Sequence, residues 1–254
     1  MTDTSVHVTL WQRQVYLVRP VTFVRHRIPA APRAGASSEQ DVLARALAHE
    51  LRGALGSLDG FLRVLERGHA AELSPEARRF IGLARSSAHE MSRVLAALTD
   101  FTRLGSHELR PVDIDVDELV ECVVGDFAEA IDEAGTEMRL GHLPRCTADP
   151  VLLERVFSNL VSNAIRFSRD SDMPVVEIGA DDDAFFVRDN GVGFDPAEAP
   201  RLFGMFQRLH AGGGVGAGLA IARRIVERHG GRMWAEGVLG GGATFWFTLP
   251  GAAS

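Results

Sequence analysis

The sequence predicts a long α-helical hairpin followed by an α+β sandwich. Three observations carry this reading. Apolar residues recur at steps of three and four from Leu43 to Leu65 and again from Phe80 to about Leu104, the mark of two amphipathic helices. Only a short segment around Gly68 and Ser74 separates the two runs, so the helices fold back as an antiparallel pair. After Pro111 the pattern changes to alternating helices and short strands, which suggests one sheet covered on one face by helices.

Residues 1–38 carry the weakest signal. Val6–Leu10 and Gln14–Val18 could be short strands, and IPAAPRAGASS then reads as a linker. The first helix starts near Ser38, with Glu39 and Asp41 suited to the positive end of its dipole, and runs to about Arg67, where Gly68 breaks it. Its apolar positions are Leu43, Leu47, Leu51, Leu55 or Ala54, Leu58, Phe61 or Leu62, and Leu65. The second helix is signalled by Ser74 as cap with Pro75 and Glu76 in the first turn. Its stripe runs through Phe80, Ala84, Ala88, Met91, Leu95, Leu98 and Phe101 or Thr102. A single hairpin cannot bury both stripes. A dimer forming a four-helix bundle covers them most economically; packing on the downstream domain is the alternative.

Gly105–Pro111 reads as a hinge. Helices are expected over Val116–Ile131, from Asp149–Pro150 to Phe167, and from Leu219 to His229, where Gly230-Gly231 makes a C-cap. Strands are expected over Glu137–Leu143, Val175–Gly179, Phe185–Arg188, Arg232–Glu236 and Ala243–Leu249, with Asp181-Asp182-Asp183 as a solvated hairpin turn.

Composition narrows the function classes. The 254 residues are 46% hydrophobic and 24% charged, as in a globular protein. A net charge of −7 gives no basic field for nucleic acid. No apolar run reaches the roughly 18 residues of a membrane span, and the N-terminus lacks the order of a secretion signal. Cys122 and Cys146 make neither a disulfide framework nor a metal cluster. Cys122 lies among Leu119, Val120, Val123 and Val124, which predicts a buried thiol, and the setting is read as reducing and cytoplasmic.

Five places carry candidate chemistry. His49 lies about 200° around its helix from Leu47 and Leu51, off the apolar stripe, with Glu50 beside it. Asn159 and Asn163 share one helix face; an amide oxygen suits Mg²⁺, which also takes phosphate oxygens, and Arg166 lies one turn on. Asp189 ends a strand and precedes Gly191 and Gly193, which permit close backbone approach and positive φ. An ionised carboxylate there only accepts hydrogen bonds, which suits an exocyclic amine. Phe203, Met205 and Phe206 could wall a pocket or pack a short helix. The glycine-rich run GGGVGAGLA opens a helix and offers backbone N–H groups to phosphates. It is neither a P-loop nor a dinucleotide fingerprint, because no Lys-Ser/Thr follows and Leu219 stands where a third glycine would be needed.

In this order and spacing, these segments closely resemble the catalytic core of sensor histidine kinases over about residues 39–250, most like the phytochrome-type group. HELRGAL resembles the histidine box. Asn159 and Asn163 match the asparagine box, and Asp189-Asn190-Gly191-x-Gly193 the first glycine box. Phe203 and Phe206 match the phenylalanine box, and Gly214-x-Gly216-x-Gly218 the second glycine box, followed by Leu219.

The resemblance implies a Bergerat (GHKL-like) ATP-binding domain behind a dimerisation and phosphotransfer hairpin. Its expected divisions are 1–38 (N-terminal segment and linker), 39–104 (hairpin), 105–112 (hinge), 113–250 (ATP domain) and 251–254 (tail). It further implies that His49 takes the γ-phosphoryl of Mg²⁺-ATP and passes it to an aspartate of a response regulator receiver domain. Glu50 would orient or deprotonate His49, Asn163 would hold Mg²⁺, and Asp189 would read adenine. Asn159, Arg166, Gly191, Gly193, Phe203, Phe206, Gly214, Gly216, Gly218 and Leu219 complete the expected ATP site. The expected assembly is a homodimer, free of membrane and nucleic acid, with a separate sensory protein as one source of its signal. The alternative is a phosphotransfer or scaffold dimer of the same fold with little or no ATP use. Four departures stand out. Ala54 replaces the usual proline, Gly53 stands where many members carry Thr or Asn, which implies weak phosphatase activity by that route, Arg166 replaces the usual lysine, and only three residues separate His210 from Gly214, which shortens the lid over the nucleotide.

Overall fold

In a computed structural model, the described residues are 37–69, 73–106, 108–207, 209 and 215–250, with side chains described from residue 48 apart from those of His49 and Ser106. The expected strands before the linker, the linker up to residue 36, His107, His210 and Gly214 lie outside these residues, and Ser37 and Ser38 of the expected linker begin the first helix.

Helix α1 (Ser37–Gly68) and helix α2 (Pro75–Ser106) form the hairpin. Ser74 caps α2 as the sequence indicated, its Oγ accepting from Ala77 N at 3.1 Å. Gly105 and Ser106, read as the start of a hinge, belong to the last turn of α2. With Ala54 in place of proline, α1 runs unbroken past His49.

The helices meet along a narrower seam than the sequence stripes indicated. Ala48 and Ala88 are buried in it, and Leu55, Leu62 and Leu95 are half-buried. Ile81 is also buried, and polar contacts run along the seam beside these residues. Asp59 accepts from Arg85 at 3.1 Å and faces His89 at 3.3 Å, Arg85 also pairs with Glu66, and Arg52 Nη2 donates to Thr99 Oγ1 at 3.2 Å. Leu51, Leu58, Phe61, Leu65, Phe80, Leu83 and Met91 lie outside the seam and stay exposed. Each helix therefore has two apolar faces, which the sequence reading had merged into one.

The downstream domain is a helix layer on a mixed sheet. Strands β2 (Glu137–Leu140), β4 (Val175–Asp181), β5 (Ala184–Asp189), β7 (Gly242–Thr248) and β6 (Met233–Val238) lie side by side in the order β2-β4-β5-β7-β6. The β2–β4 pair is parallel and the others antiparallel. Two short strands the sequence reading missed, β1 (Val112–Ile114) and β3 (Cys146–Ala148), pair antiparallel beside it. The expected helix over Val116–Ile131 is two helices, α3 (Val116–Asp126) and α4 (Ala128–Ala134). Phe127 lies between them, its N–H turned back to Val124 and Gly125.

Helix α5 (Pro150–Ser168) is the spine of the core. Asp149 caps it by accepting from Leu152 N, and Pro150 holds its first position. Val156, Phe157, Leu160 and Val161 are fully buried. Phe157 meets Phe247 edge-on at 5.3 Å between centroids, and Phe247 stacks on Phe185 at 5.2 Å. Helix α6 (Gly218–Arg228) packs beside α5. His229 joins them: Asp149 N donates to its Nε2 at 3.0 Å, so Nδ1 carries the proton and donates to Ile225 O at 2.8 Å.

Cys122 is exposed, against the sequence reading. The buried positions of α3 are Val116, Val120 and Val123, and Cys122 lies about 200° from Val120. Cys146 is buried, and burial pushes its thiol up to about 11.

The end of α2 packs on this domain. Leu104 is buried with the domain core, and Arg228 donates to its carbonyl. Arg224 lies over the Phe101 ring at 4.3 Å.

Candidate functional site

One cavity of about 370 Å³ opens between α5, the end of β5, the segment before α6 and the side of α2. That volume suits a nucleotide-sized ligand. Of the residues singled out from the sequence, it is lined by Asn159, Asn163, Arg166, Asp189, Gly193, Gly216, Gly218 and Leu219. These come from three separated stretches of chain, and no local pattern requires them to meet.

Helix α5 supplies the first group. Asn159 and Asn163 sit one turn apart, and Arg166 Nη2 donates to Asn163 Oδ1 at 2.7 Å. Asn159 Nδ2 donates to Arg155 O at 2.8 Å. Its Oδ1 lies where any side chain at position 218 would intrude: a Cβ on Gly218 would stand 2.7 Å from it. A glycine at the start of α6 therefore lets this helix approach the asparagine face.

The end of β5 supplies the second group. Asp189 is 5% exposed. Burial pushes its carboxyl up to about 6, with the N–H groups of Gly191 and Ala243 opposing the rise. Gly191 N donates to Asp189 Oδ1 at 2.9 Å. The two glycines here have different reasons. A Cβ on Gly191 would fall 2.1 Å from Phe167 O, so close approach is its requirement. Gly193 has φ +60° and its Cβ would fall 1.9 Å from Val238 O.

The phenylalanine segment departs from expectation. Asp195 caps a 3₁₀ turn over Pro196–Arg201. The cavity is lined there by Leu202, Gln207 and Leu209, and neither Phe203 nor Phe206 is on its wall. Phe203 instead lies under Arg223, 5.5 Å from its guanidinium carbon, and Phe206 is exposed with φ +63°. Each ring falls next to a wall residue, which the chain direction alone does not reveal.

Two wall residues, Ala97 and Asp100, come from α2, and sequence reasoning passed over both. Glu50 is exposed on α1; His49 shares that helix, with its side chain outside the described residues. Among the described residues no three His, Cys, Asp or Glu cluster as a metal site. No helix among them is long and apolar enough to cross a membrane.

Comparison with known proteins decides the family. Residues 39–110 match the His Kinase A (phospho-acceptor) domain, and residues 148–253 match the histidine kinase-, DNA gyrase B- and HSP90-like ATPase. The chain carries the catalytic core of a sensor histidine kinase. Across 80% of its length it is 34% identical to the phytochrome-like protein Cph1 of Synechocystis sp., covering 28% of that protein. Across 84% it is 35% identical to cyanobacterial phytochrome B of Nostoc sp., covering 30% of it. The chain thus spans less than a third of the length of these relatives. Among solved structures, full-length ShkA in complex with AMPPNP is similar at TM-score 0.63 and 30% identity, over 85% of this chain and 46% of that one. The ATPase-type domain is an ATP-binding one, and the hairpin is of the kind that dimerises and serves two-component signalling.

Proposed function

We propose that this histidine kinase core phosphorylates itself on His49 from Mg²⁺-ATP and passes the phosphoryl group to an aspartate of a separate response regulator. The observation that carries this reading is the single cavity joining Asp189, Asn159, Asn163, Arg166 and the glycines before α6.

The roles follow from the chemistry of the wall. Ionised Asp189 accepts a hydrogen bond from the exocyclic amine of adenine. Gly216 and Gly218 leave the segment before α6 free of side chains, so backbone N–H groups and the positive helix end meet the phosphates. Arg166 offers a guanidinium to phosphate oxygen. Asn163 supplies the amide oxygen that would hold Mg²⁺, and bound there with nucleotide the ion neutralises phosphate charge. Glu50 orients the His49 imidazole or takes its proton, leaving a ring nitrogen to attack the γ-phosphorus. The bond to the β-γ bridging oxygen breaks and ADP leaves. Catalysis is then mainly positioning and charge neutralisation.

A second copy would cover Leu51, Leu58, Leu65, Phe80 and Met91 as a four-helix bundle, giving a homodimer. The setting proposed is cytoplasmic, where ATP and receiver domains are available. Incubation with γ-labelled ATP tests the reading: wild type should take up acid-labile label, and His49→Ala should take up none. ATP binding without label would favour the phosphotransfer dimer.

A further inference from the structure

Asp100 and Arg155 have no role in the reading above, yet they join the two halves of the molecule at the cavity mouth. Arg155 Nη2 donates to Asp100 Oδ2 at 2.7 Å. Asp100 belongs to α2 and lines the cavity. Arg155 stands one turn before Asn159 on α5, and its carbonyl holds the Asn159 amide. Arg155, Asn159 and Asn163 therefore form one i, i+4, i+8 row, which begins at α2 and ends at the residue proposed for Mg²⁺.

The height of this contact on the hairpin is informative. Arg52 lies three residues beyond His49 and donates to Thr99, the residue before Asp100. The helices are antiparallel, so Asp100 sits within about one helical turn of the level of His49. The ATP-binding domain is thus docked with its cavity at the height of the phosphoacceptor. Apolar contact at Leu104 and the Arg224–Phe101 stack supply adhesion. The apolar contact is non-directional. Directional contacts come from the Arg228 hydrogen bond to the Leu104 carbonyl and from the Asp100–Arg155 ion pair, whose acidic member also lines the cavity.

We propose that the Asp100–Arg155 ion pair is the register contact of phosphoryl transfer. It positions the nucleotide cavity on the hairpin at the level of His49. Both are positioning residues: they act through the seat of the domain and need not touch the reacting atoms. The inference rests on the autokinase reading and adds the docking geometry to it.

The test is a charge-swap cycle on the whole chain: wild type, Asp100→Arg, Arg155→Asp and the double variant. Initial autophosphorylation rates are measured at saturating Mg²⁺-ATP, so that altered nucleotide affinity does not enter. Each single reversal should slow labelling about two- to fivefold, the range a half-exposed pair is worth, and the double variant should recover most of the loss. Hydrogen exchange across residues 97–104 gives a readout independent of activity; it should rise in each single variant and fall back in the double. Labelling of the single variants at the wild-type rate overturns the proposal. Faster labelling also overturns it, since the pair would then restrain the domain. Slowed singles without recovery in the double, or exchange unmoved by reversal, do so too. Absence of label on wild type is a different result, which removes the autokinase reading itself.

Discussion

Arg166 donates to the amide oxygen of Asn163 across one turn of α5, at 2.7 Å. The atom proposed to hold Mg²⁺ is thus already engaged by the cation proposed to meet phosphate. The amide oxygen has a second lone pair for the ion, and Arg166 has further N–H groups for a phosphate, so the two residues serve different parts of Mg²⁺-nucleotide. The two substitutions should therefore behave differently. Arg166→Ala loses a charge-assisted hydrogen bond and should weaken nucleotide binding about tenfold or more, with or without Mg²⁺. Asn163→Ala should abolish the gain in affinity that Mg²⁺ gives. Nucleotide titrations with Mg²⁺ and with a chelator separate the two.

Asp189 predicts a pH dependence. Its carboxyl is raised to about 6 by burial, so lowering pH through about 6 protonates it and removes the acceptor for the adenine amine. Nucleotide affinity should fall as pH drops through that value, and Asp189→Asn should be weak at every pH. Fold stability responds in the opposite direction. Between the ordinary carboxyl value of about 4 and the raised one, the folded state binds more protons than the unfolded. Asp189 therefore lowers stability as pH rises through this window, and Asp189→Asn should flatten that slope in urea titrations.

The glycines at the cavity should divide by mechanism. Gly193→Ala forces a side chain onto Val238 O at φ +60°, and should cost more than about 1 kcal/mol of stability with a lower Tm. Gly218→Ala places its Cβ against Asn159 Oδ1 in a helical residue. It should leave Tm nearly unchanged and weaken nucleotide binding by displacing Asn159.

Dimerisation should depend on the exposed faces of the hairpin. Leu58→Arg alters a residue outside the intramolecular seam, so the protomer should remain folded. A buried leucine is worth about 2 kcal/mol and a two-fold interface counts it twice. The dimer dissociation constant should rise at least about a hundredfold, measurable by sedimentation. An unchanged constant would place the interface elsewhere.

Much of this architecture was legible because its signals are local. Ser74-Pro75 and Asp149-Pro150 announce helix starts through cap chemistry, and Asp181-Asp182-Asp183 a hairpin turn, of which Asp181 ends β4, each within a few residues. Asn159, Asn163, Asp189 and the glycines could be singled out because their residue types are unusual at those spacings. What failed depends on distant partners. Cys122 was misplaced because the apolar density around it hid which side of α3 faces the core. The break at Phe127 has no glycine or proline at its position to mark it. Strands β1 and β3 have three residues each, too short to alternate visibly. Ala97 and Asp100 joined the cavity only through docking of α2, which no periodicity in either segment encodes. The two faces of each hairpin helix merged for a similar reason, because the seam is held by Asp59, Arg85 and Glu66 as much as by apolar residues.

The most direct measurement is the location of the phosphoryl group after incubation with Mg²⁺ and γ-labelled ATP, mapped by peptide mass spectrometry at neutral pH to keep phosphohistidine intact. The account predicts modification of the peptide carrying His49 in wild type, its absence in Asn163→Ala, and loss of the group when a cognate receiver domain is added. Phosphorylation at a serine or threonine, or on any histidine other than His49, would contradict it.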